Sequence, residues 1–205
     1  MTSAIVITGT DTGIGKTVFS AGLTLALGAT YWKPIQSGLE EETDSQTVTR
    51  LTGRPALPEA YRLREPASPH YAAACEGVEI APMPLPDLPG PVVIEGAGGV
   101  LVPLRGSYLY ADLMAEWRAP VIVIARTALG TINHSLLSVE ALRARNVPIL
   151  GLVFIGDEVP DSQSTICRIA GLPSLGRLPI IPDLTTGGLS RAFGSIDLAT
   201  IRAAL

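Results

Sequence analysis

The amino-acid sequence predicts an α/β fold, a doubly wound and mainly parallel sheet with helices on both faces, in a single domain over residues 1–205. Three observations predict it. Short β-branched apolar runs recur along the chain, each of strand length. Helix-like segments alternate with them, the order that parallel strands require for their crossovers. Polar or glycine-rich segments follow residues 8, 33 and 94, and in such sheets ligands bind at the carboxyl ends of strands.

AIVITG (4–9) reads as a buried strand ending in glycine, and GKTVFSAGLTLAL (15–27) as a helix. ATYWKP (29–34) is a short second strand stopped by Pro34, which has no N–H to donate. TDSQTVTRLTG (43–53) is a helix with Thr43 or Asp44 as N-cap and Gly53 as its stop. SPHYAAACEG (68–77) reads as a brief helix begun by Ser-Pro. PMPLPDLPGP (82–91) holds five prolines and is an extended connector. VVIEGAGG (92–99) is a buried strand running into a glycine-rich turn. VIVIAR (121–126), NHSLLSVEALRAR (133–145) and PILGLVFI (148–155) give strand, helix, strand. DSQSTICRIAG (161–171) and DLATIRAAL (197–205) are the remaining helices, and there is no internal repeat.

The formal net charge of -4, with no basic stripe, argues against nucleic acid as a partner. No apolar run is long enough to span a bilayer, so no membrane partner is expected. MTSAIVITGT has no basic region ahead of its apolar run, unlike a secretory signal. Cys75 and Cys167 are isolated and read as free thiols of a reducing, cytoplasmic compartment.

GTDTGIGKT (Gly9 to Thr17) follows a strand and opens a helix. It exceeds the strict phosphate-loop spacing by one residue, yet Gly13 and Gly15 permit a backbone that turns N–H groups toward phosphate oxygens. Lys16 would reach the β- and γ-phosphates of a nucleotide, and Thr17 would offer its hydroxyl to Mg2+. The loop makes the fold class P-loop NTPase-type. Glu95 ends a buried strand, where such proteins place a second metal contact. Asp44 is a weaker candidate, since it also suits an N-cap. Thr17, Asp44, Glu95 and a phosphate would suffice for Mg2+, which keeps several waters.

The chain has 13 arginines and only two lysines, Lys16 and Lys33. Lys33 follows the second strand, near the phosphate loop in any doubly wound sheet. An ammonium is a compact charge on a flexible stem, and a crowded phosphate-transfer site can require that rather than a planar fork; the alternative is a strand-end lysine in water. Ser37 could join the same loop by a hydrogen bond. Gly130 to Asn133 precedes a helix whose free N–H groups could hold a carboxylate, unless Asn133 is a plain N-cap. His70 and His134 form neither a metal-ligand pattern nor a nucleophile pair.

Together GTDTGIGKT, KPIQSG, TDS, SPH, IEGAGG and GTINH, in order over residues 4 to 155, resemble the dethiobiotin synthetase family. The resemblance implies a homodimer with substrate across the interface. It also implies closure of a cyclic urea on 7,8-diaminopelargonate with CO2, ATP and Mg2+, to give dethiobiotin. It casts Lys33 and Lys16 as catalytic, and Thr12 and Ser37 as substrate contacts. Gly130, Thr131, Ile132 and Asn133 of a second subunit would bind the substrate's carboxylate. Thr17, Asp44 and Glu95 match metal positions. Gly13, Ile14, Gly15, Lys16, Thr17 and Val18, with Gly96, Ala97 and Gly98, match the nucleotide site. Ile155, Gly156, Pro179, Ile180 and Ile181 match the region around the base.

Three departures stand out. Gly13 replaces an acid that some members carry, the segment 82–91 replaces a longer helical stretch, and Ile155 stands where the family commonly has an adenine-reading Asn. The last predicts loose selectivity among nucleoside triphosphates. A partner-switching P-loop ATPase is the rival, but its early second lysine is absent from Thr10-Asp11-Thr12. An amidotransferase-type synthetase would carry a glutaminase domain, for which 205 residues leave no room.

Overall fold

The computed structural model describes residues 3–205. The elements are β1 (Ser3–Gly9), α1 (Lys16–Leu27), β2 (Thr30–Trp32), β3 (Ile35–Ser37), α2 (Asp44–Thr52), β4 (Tyr61–Leu63), α3 (Pro69–Cys75), β5 (Pro91–Glu95), β6 (Pro103–Arg105), β7 (Tyr108–Leu109) and α4 (Tyr110–Trp117). They continue with β8 (Val121–Arg126), α5 (Thr131–Arg143), β9 (Ile149–Ile155), α6 (Pro160–Ala170), β10 (Ser174–Leu178) and α7 (Thr186–Ala192). A short 3-10 turn at Phe193–Ser195 leads to α8 (Leu198–Ala203).

Six strands form one parallel sheet in the order β10-β9-β8-β1-β5-β2. Strand order reverses on either side of β1, so the loop leaving β1 lies at the switch point where a doubly wound sheet opens a crevice. Alternation along each strand divides the core between the two faces. Ala4 and Val6 of β1 pack with Val92, Ile94, Trp32 and the helices α3 and α4. Ile5 and Ile7 pack with Val93, Ile122, Ile124, Phe19 and Leu23 on the other side. Each such side chain, fully buried, contributes about 1.5–3 kcal/mol. Gly22 of α1 is required by close approach: a Cβ there would lie 1.9 Å from the Phe193 ring, which stacks on Phe19.

The local signals act as the sequence suggests, with two corrections. Thr43, not Asp44, is the N-cap of α2; its hydroxyl accepts from Gln46 N and the Gln46 carboxamide accepts from Thr43 N. Asp44 is thereby the first helical residue, with its side chain free for other work. Helix α5 starts at Thr131, two residues before the expected start, because Gly130 adopts φ 92 and takes the N-cap position. Asn133 is therefore inside the first turn and is not the cap. The proline-rich segment is irregular and is pinned by Trp117, whose Nε1 donates to Met83 O at 2.7 Å. No helix among the described residues is long and apolar enough to cross a membrane.

Candidate active site

The carboxyl ends of β1, β2 and β5, with the start of α2, bring four charged side chains, Lys16, Lys33, Glu95 and Asp44, to one end of the sheet. The loop after β1 starts on a hydrogen bond from Thr10 N to Ile124 O, and Gly15, with φ 95, turns it into α1. Lys16 is buried and donates from Nζ to Asp11 O at 2.7 Å. Lys33 lies one residue beyond β2 and is also buried. Its Nζ sits 2.6 Å from Asp44 Oδ2, 3.2 Å from Glu95 Oε1 and 3.2 Å from Gly96 O. Thr17 Oγ1 lies 2.8 Å from Asp44 Oδ1 and 2.9 Å from Glu95 Oε1, and Tyr31 donates its hydroxyl to Glu95 Oε2 at 2.9 Å.

Three oxygens, from Thr17, Asp44 and Glu95, thus meet with a single hydroxyl proton to share. That donor set fits Mg2+, a hard cation that takes one or two carboxylates plus phosphate and water. Lys33 neutralises the same two carboxylates. A buried charge is costly unless paired; Lys33 has both carboxylates within 3.2 Å, whereas the Lys16 ammonium is held by a backbone carbonyl.

Two cavities flank this cluster. One, of about 440 Å3, is walled by Thr12, Lys33, Gln36, Ser37, Asp44, Ala97 and Gly98, with Pro66 to Pro69 opposite. The Ser37 hydroxyl is buried and has no hydrogen-bond partner among the described residues. The other, of about 300 Å3, is lined by Gly13, Ile14, Gly15, Val18, Arg126, Ile155, Leu178, Pro179, Ile180, Ile181 and Leu184.

Comparison with known proteins places the chain. A family model described as an AAA domain matches residues 3–187. An ATP-dependent dethiobiotin synthetase from Sphingopyxis alaskensis is 59% identical over 198 residues, covering 96% of this chain and 98% of that one. Another from Rhodopseudomonas palustris is 58% identical, covering 94% and 93%. The chain belongs to the ATP-dependent dethiobiotin synthetase family. Among solved structures, the septum site-determining protein MinD of Pyrococcus horikoshii covers 100% of this chain and 95% of its own at 15% identity, TM-score 0.59. MinD of Pyrococcus furiosus covers 100% of both at 16% identity, TM-score 0.58. These likenesses concern the P-loop ATPase fold alone.

In this dethiobiotin synthetase fold the two lysines carry opposite shifts. Burial pushes the Lys16 ammonium down to about 8, with Glu95 resisting and the neighbouring charge of Lys33 assisting. Burial also opposes the Lys33 charge, but Glu95 and Asp44 overcome it and hold its pKa above the usual lysine value. Burial likewise opposes the Asp44 carboxylate, and the charge of Lys33 more than reverses this, keeping Asp44 below the usual range.

Most expected positions converge, and one group does not. The expected nucleotide residues divide: Gly13, Ile14, Gly15, Val18, Ile155 and Pro179 to Ile181 surround the apolar cavity, Lys16 and Thr17 belong to the charged cluster, and Ala97 and Gly98 wall the other cavity. Gly96 joins through its carbonyl, and Gly156 O accepts from Arg177 at 2.8 Å. Gly130 to Asn133 lines neither cavity of its own chain. Thr131 is buried against Ser135, and Ile132 packs toward Phe154.

The sequence reading missed Tyr31, Gln36 and Arg126. Arg126 donates to Asp11 Oδ2 at 2.7 Å across the loop mouth. Its place at the end of β8 was the available signal. Tyr31 and Gln36 each lie within three residues of Lys33, the one signal they offered.

Proposed function

We propose that this chain uses ATP and Mg2+ to close a cyclic urea on 7,8-diaminopelargonate with CO2, giving dethiobiotin, ADP and phosphate. As a member of its family it makes dethiobiotin at the expense of ATP in biotin biosynthesis. The observation that carries the residue-level reading is the buried pairing of Lys33 with Asp44 and Glu95, next to the buried Lys16 of the phosphate loop and beside a cavity that Lys33, Asp44 and Ser37 line.

One substrate amine adds to CO2 and loses a proton, giving a carbamate. A carbamate oxygen attacks the γ-phosphorus, the bond to ADP breaks, and a carbamic-phosphoric anhydride results. The second amine attacks the carbonyl carbon, the bond to phosphate breaks, and the nitrogen loses its proton. Such chemistry asks the protein for position and charge. Lys33 stabilises the carbamate and the charge building on the transferring phosphoryl group. Lys16 holds the β- and γ-phosphates, and Ser37 and Thr12 orient the diamine. Thr17, Asp44 and Glu95 would hold Mg2+, which supplies charge neutralisation at the phosphates when bound. The apolar cavity takes the base, with Ile155 and Ile181 against its faces.

The assembly is a homodimer in which Gly130 to Asn133 of a second copy meet the substrate carboxylate, and the compartment is the cytoplasm. The placement of that segment outside both cavities of its own chain supports the first, and two free cysteines, Cys75 and Cys167, suit the second. ATP turnover measured with and without diamine and bicarbonate tests the reaction. Turnover is expected to require both. Turnover indifferent to the diamine but raised by a protein partner would replace it with a switching ATPase.

A further inference from the structure

Gln36 lies in β3, three residues past Lys33, and is buried although it carries a carboxamide. Both of its N–H donors and its carbonyl oxygen are engaged locally. Its Oε1 accepts from Asp44 N at 3.2 Å, and its Nε2 donates to Ser37 O at 3.1 Å and to Gly38 O at 3.3 Å. The acceptor matters because a helix leaves its first N–H groups without intrahelical partners. In α2 the Thr43 hydroxyl serves Gln46 N, so Asp44 N depends on Gln36.

Asp44 is the residue whose two carboxylate oxygens reach Thr17 and Lys33. Gln36 therefore joins the backbone of Ser37, which lines the substrate cavity, with the backbone that presents the Asp44 carboxylate. We infer that Gln36 is a positioning residue for this reaction, acting through the Asp44 backbone to set the carboxylate against Thr17 and Lys33. The inference rests on the synthetase reading. A side chain at this place must supply one acceptor and two donors at once, which glutamine does. Methionine fills the same space and supplies neither, while glutamate retains only the acceptor.

Partners one step removed from a metal ligand commonly cost 10–100-fold in metal affinity when lost, so a loss of about tenfold is expected here. The probe is a non-hydrolysable ATP analogue titrated calorimetrically into the full chain with and without Mg2+. In Gln36→Met, the Mg2+-dependent gain in affinity falls about tenfold and kcat falls with it. KM for the diamine stays within about threefold, and the melting temperature confirms a folded chain. Gln36→Glu, which keeps the acceptor for Asp44 N, retains more of the Mg2+ gain than Gln36→Met. In an Asp44→Asn background the Gln36→Met effect disappears, as coupled residues require.

An unchanged Mg2+ gain overturns the inference. So does a rise in diamine KM alone, which would make Gln36 a substrate contact, or additive effects with Asp44→Asn. Should Gln36→Met fail to fold, the same comparison between wild type and Gln36→Glu decides, equal or greater loss than in Asp44→Asn counting against it. If wild type itself shows no diamine-dependent turnover, the synthetase reading fails, separately from these outcomes.

Discussion

Lys33 and Lys16 are the only lysines in the chain, and both end up buried, Lys33 against Asp44 and Glu95 and Lys16 against the Asp11 carbonyl. A guanidinium is wider and planar. At Lys33 it would have to fit between Asp44, Glu95 and Gly96, which leave contact distances of 2.6 to 3.2 Å for a single nitrogen. Lys33→Gln and Lys33→Arg are expected to lose most turnover, on the order of 2–4 kcal/mol in the transition state, while ATP affinity is retained. Steady-state rates with calorimetry check this, and near-normal turnover in Lys33→Gln would remove the assigned role. Lys16 gives a pH prediction. Phosphate favours its charged form, but in the free protein that form is lost as pH rises through about 8. ATP binding should therefore weaken above pH 8 and take up a proton there. Calorimetry at pH 8.5 in two buffers of different ionisation enthalpy would show the uptake, and identical heats after correction would contradict it. Much of this cluster was legible as sequence, because Glu95 ends a strand and Lys33, Lys16 and Thr17 come after strand ends. Asp44 was ambiguous, since Thr43 and Asp44 are both good caps and only the fold shows which one caps. Tyr31 was hidden because its partner Glu95 lies 64 residues away, and Gln36 because its partner is the backbone N–H of Asp44, which no residue type announces.

Of the five strands that sequence alone locates, β1, β5, β8 and β9 are interior strands buried on both faces, where continuous β-branched runs are required, and β2 is a short edge strand marked by the Pro34 that follows it. The pairs β3–β4 and β6–β7 have three residues or fewer in each strand, too short to show an alternation. Helix α4 begins at Tyr110 without a Ser, Thr, Asn or Asp cap, its entry held instead by Asp112 accepting from Leu109 N. Strand β10 is an edge strand whose run is broken by Gly176 and Arg177, and its register with β9 is irregular. Yet β9 and β10 matter to function, because their carboxyl ends form the apolar cavity. Ile155 packs over Gly15, where a Cβ would lie 2.9 Å from its Cδ1. No side-chain amide or carboxylate lines that cavity, and its one polar side chain, Arg126, is engaged by Asp11. Bases are told apart by hydrogen bonds, and apolar walls do so weakly. Competition binding should find CTP and GTP within about tenfold of ATP, a ratio corresponding to about 1.4 kcal/mol. Discrimination by a hundredfold or more would mean that backbone groups read the base.

At the scale of the molecule, one side of the phosphate loop holds the two cavities, and another side holds a surface that one chain leaves open. Leu101, Leu129 and Leu137 are exposed at 49%, 106% and 56%, and Leu101 and Leu137 share a depression with Thr10, Asp11, Thr12 and His134. That depression abuts the same Thr12 that walls the substrate cavity. Apolar side chains grouped around a site suit an interface, and this is the surface that a second copy would cover in the proposed homodimer. In the proposed homodimer the diamine site would be completed by two chains, while the nucleotide site would belong to one. Leu137→Glu, which places a charge on this surface, should yield a monomer with ATP affinity near wild type. Its KM for the diamine should rise about tenfold or more. Sedimentation gives the assembly and steady-state kinetics the KM. A monomeric variant with an unchanged diamine KM would show that each chain closes its own substrate site, and the role given to Gly130–Asn133 would fall with it.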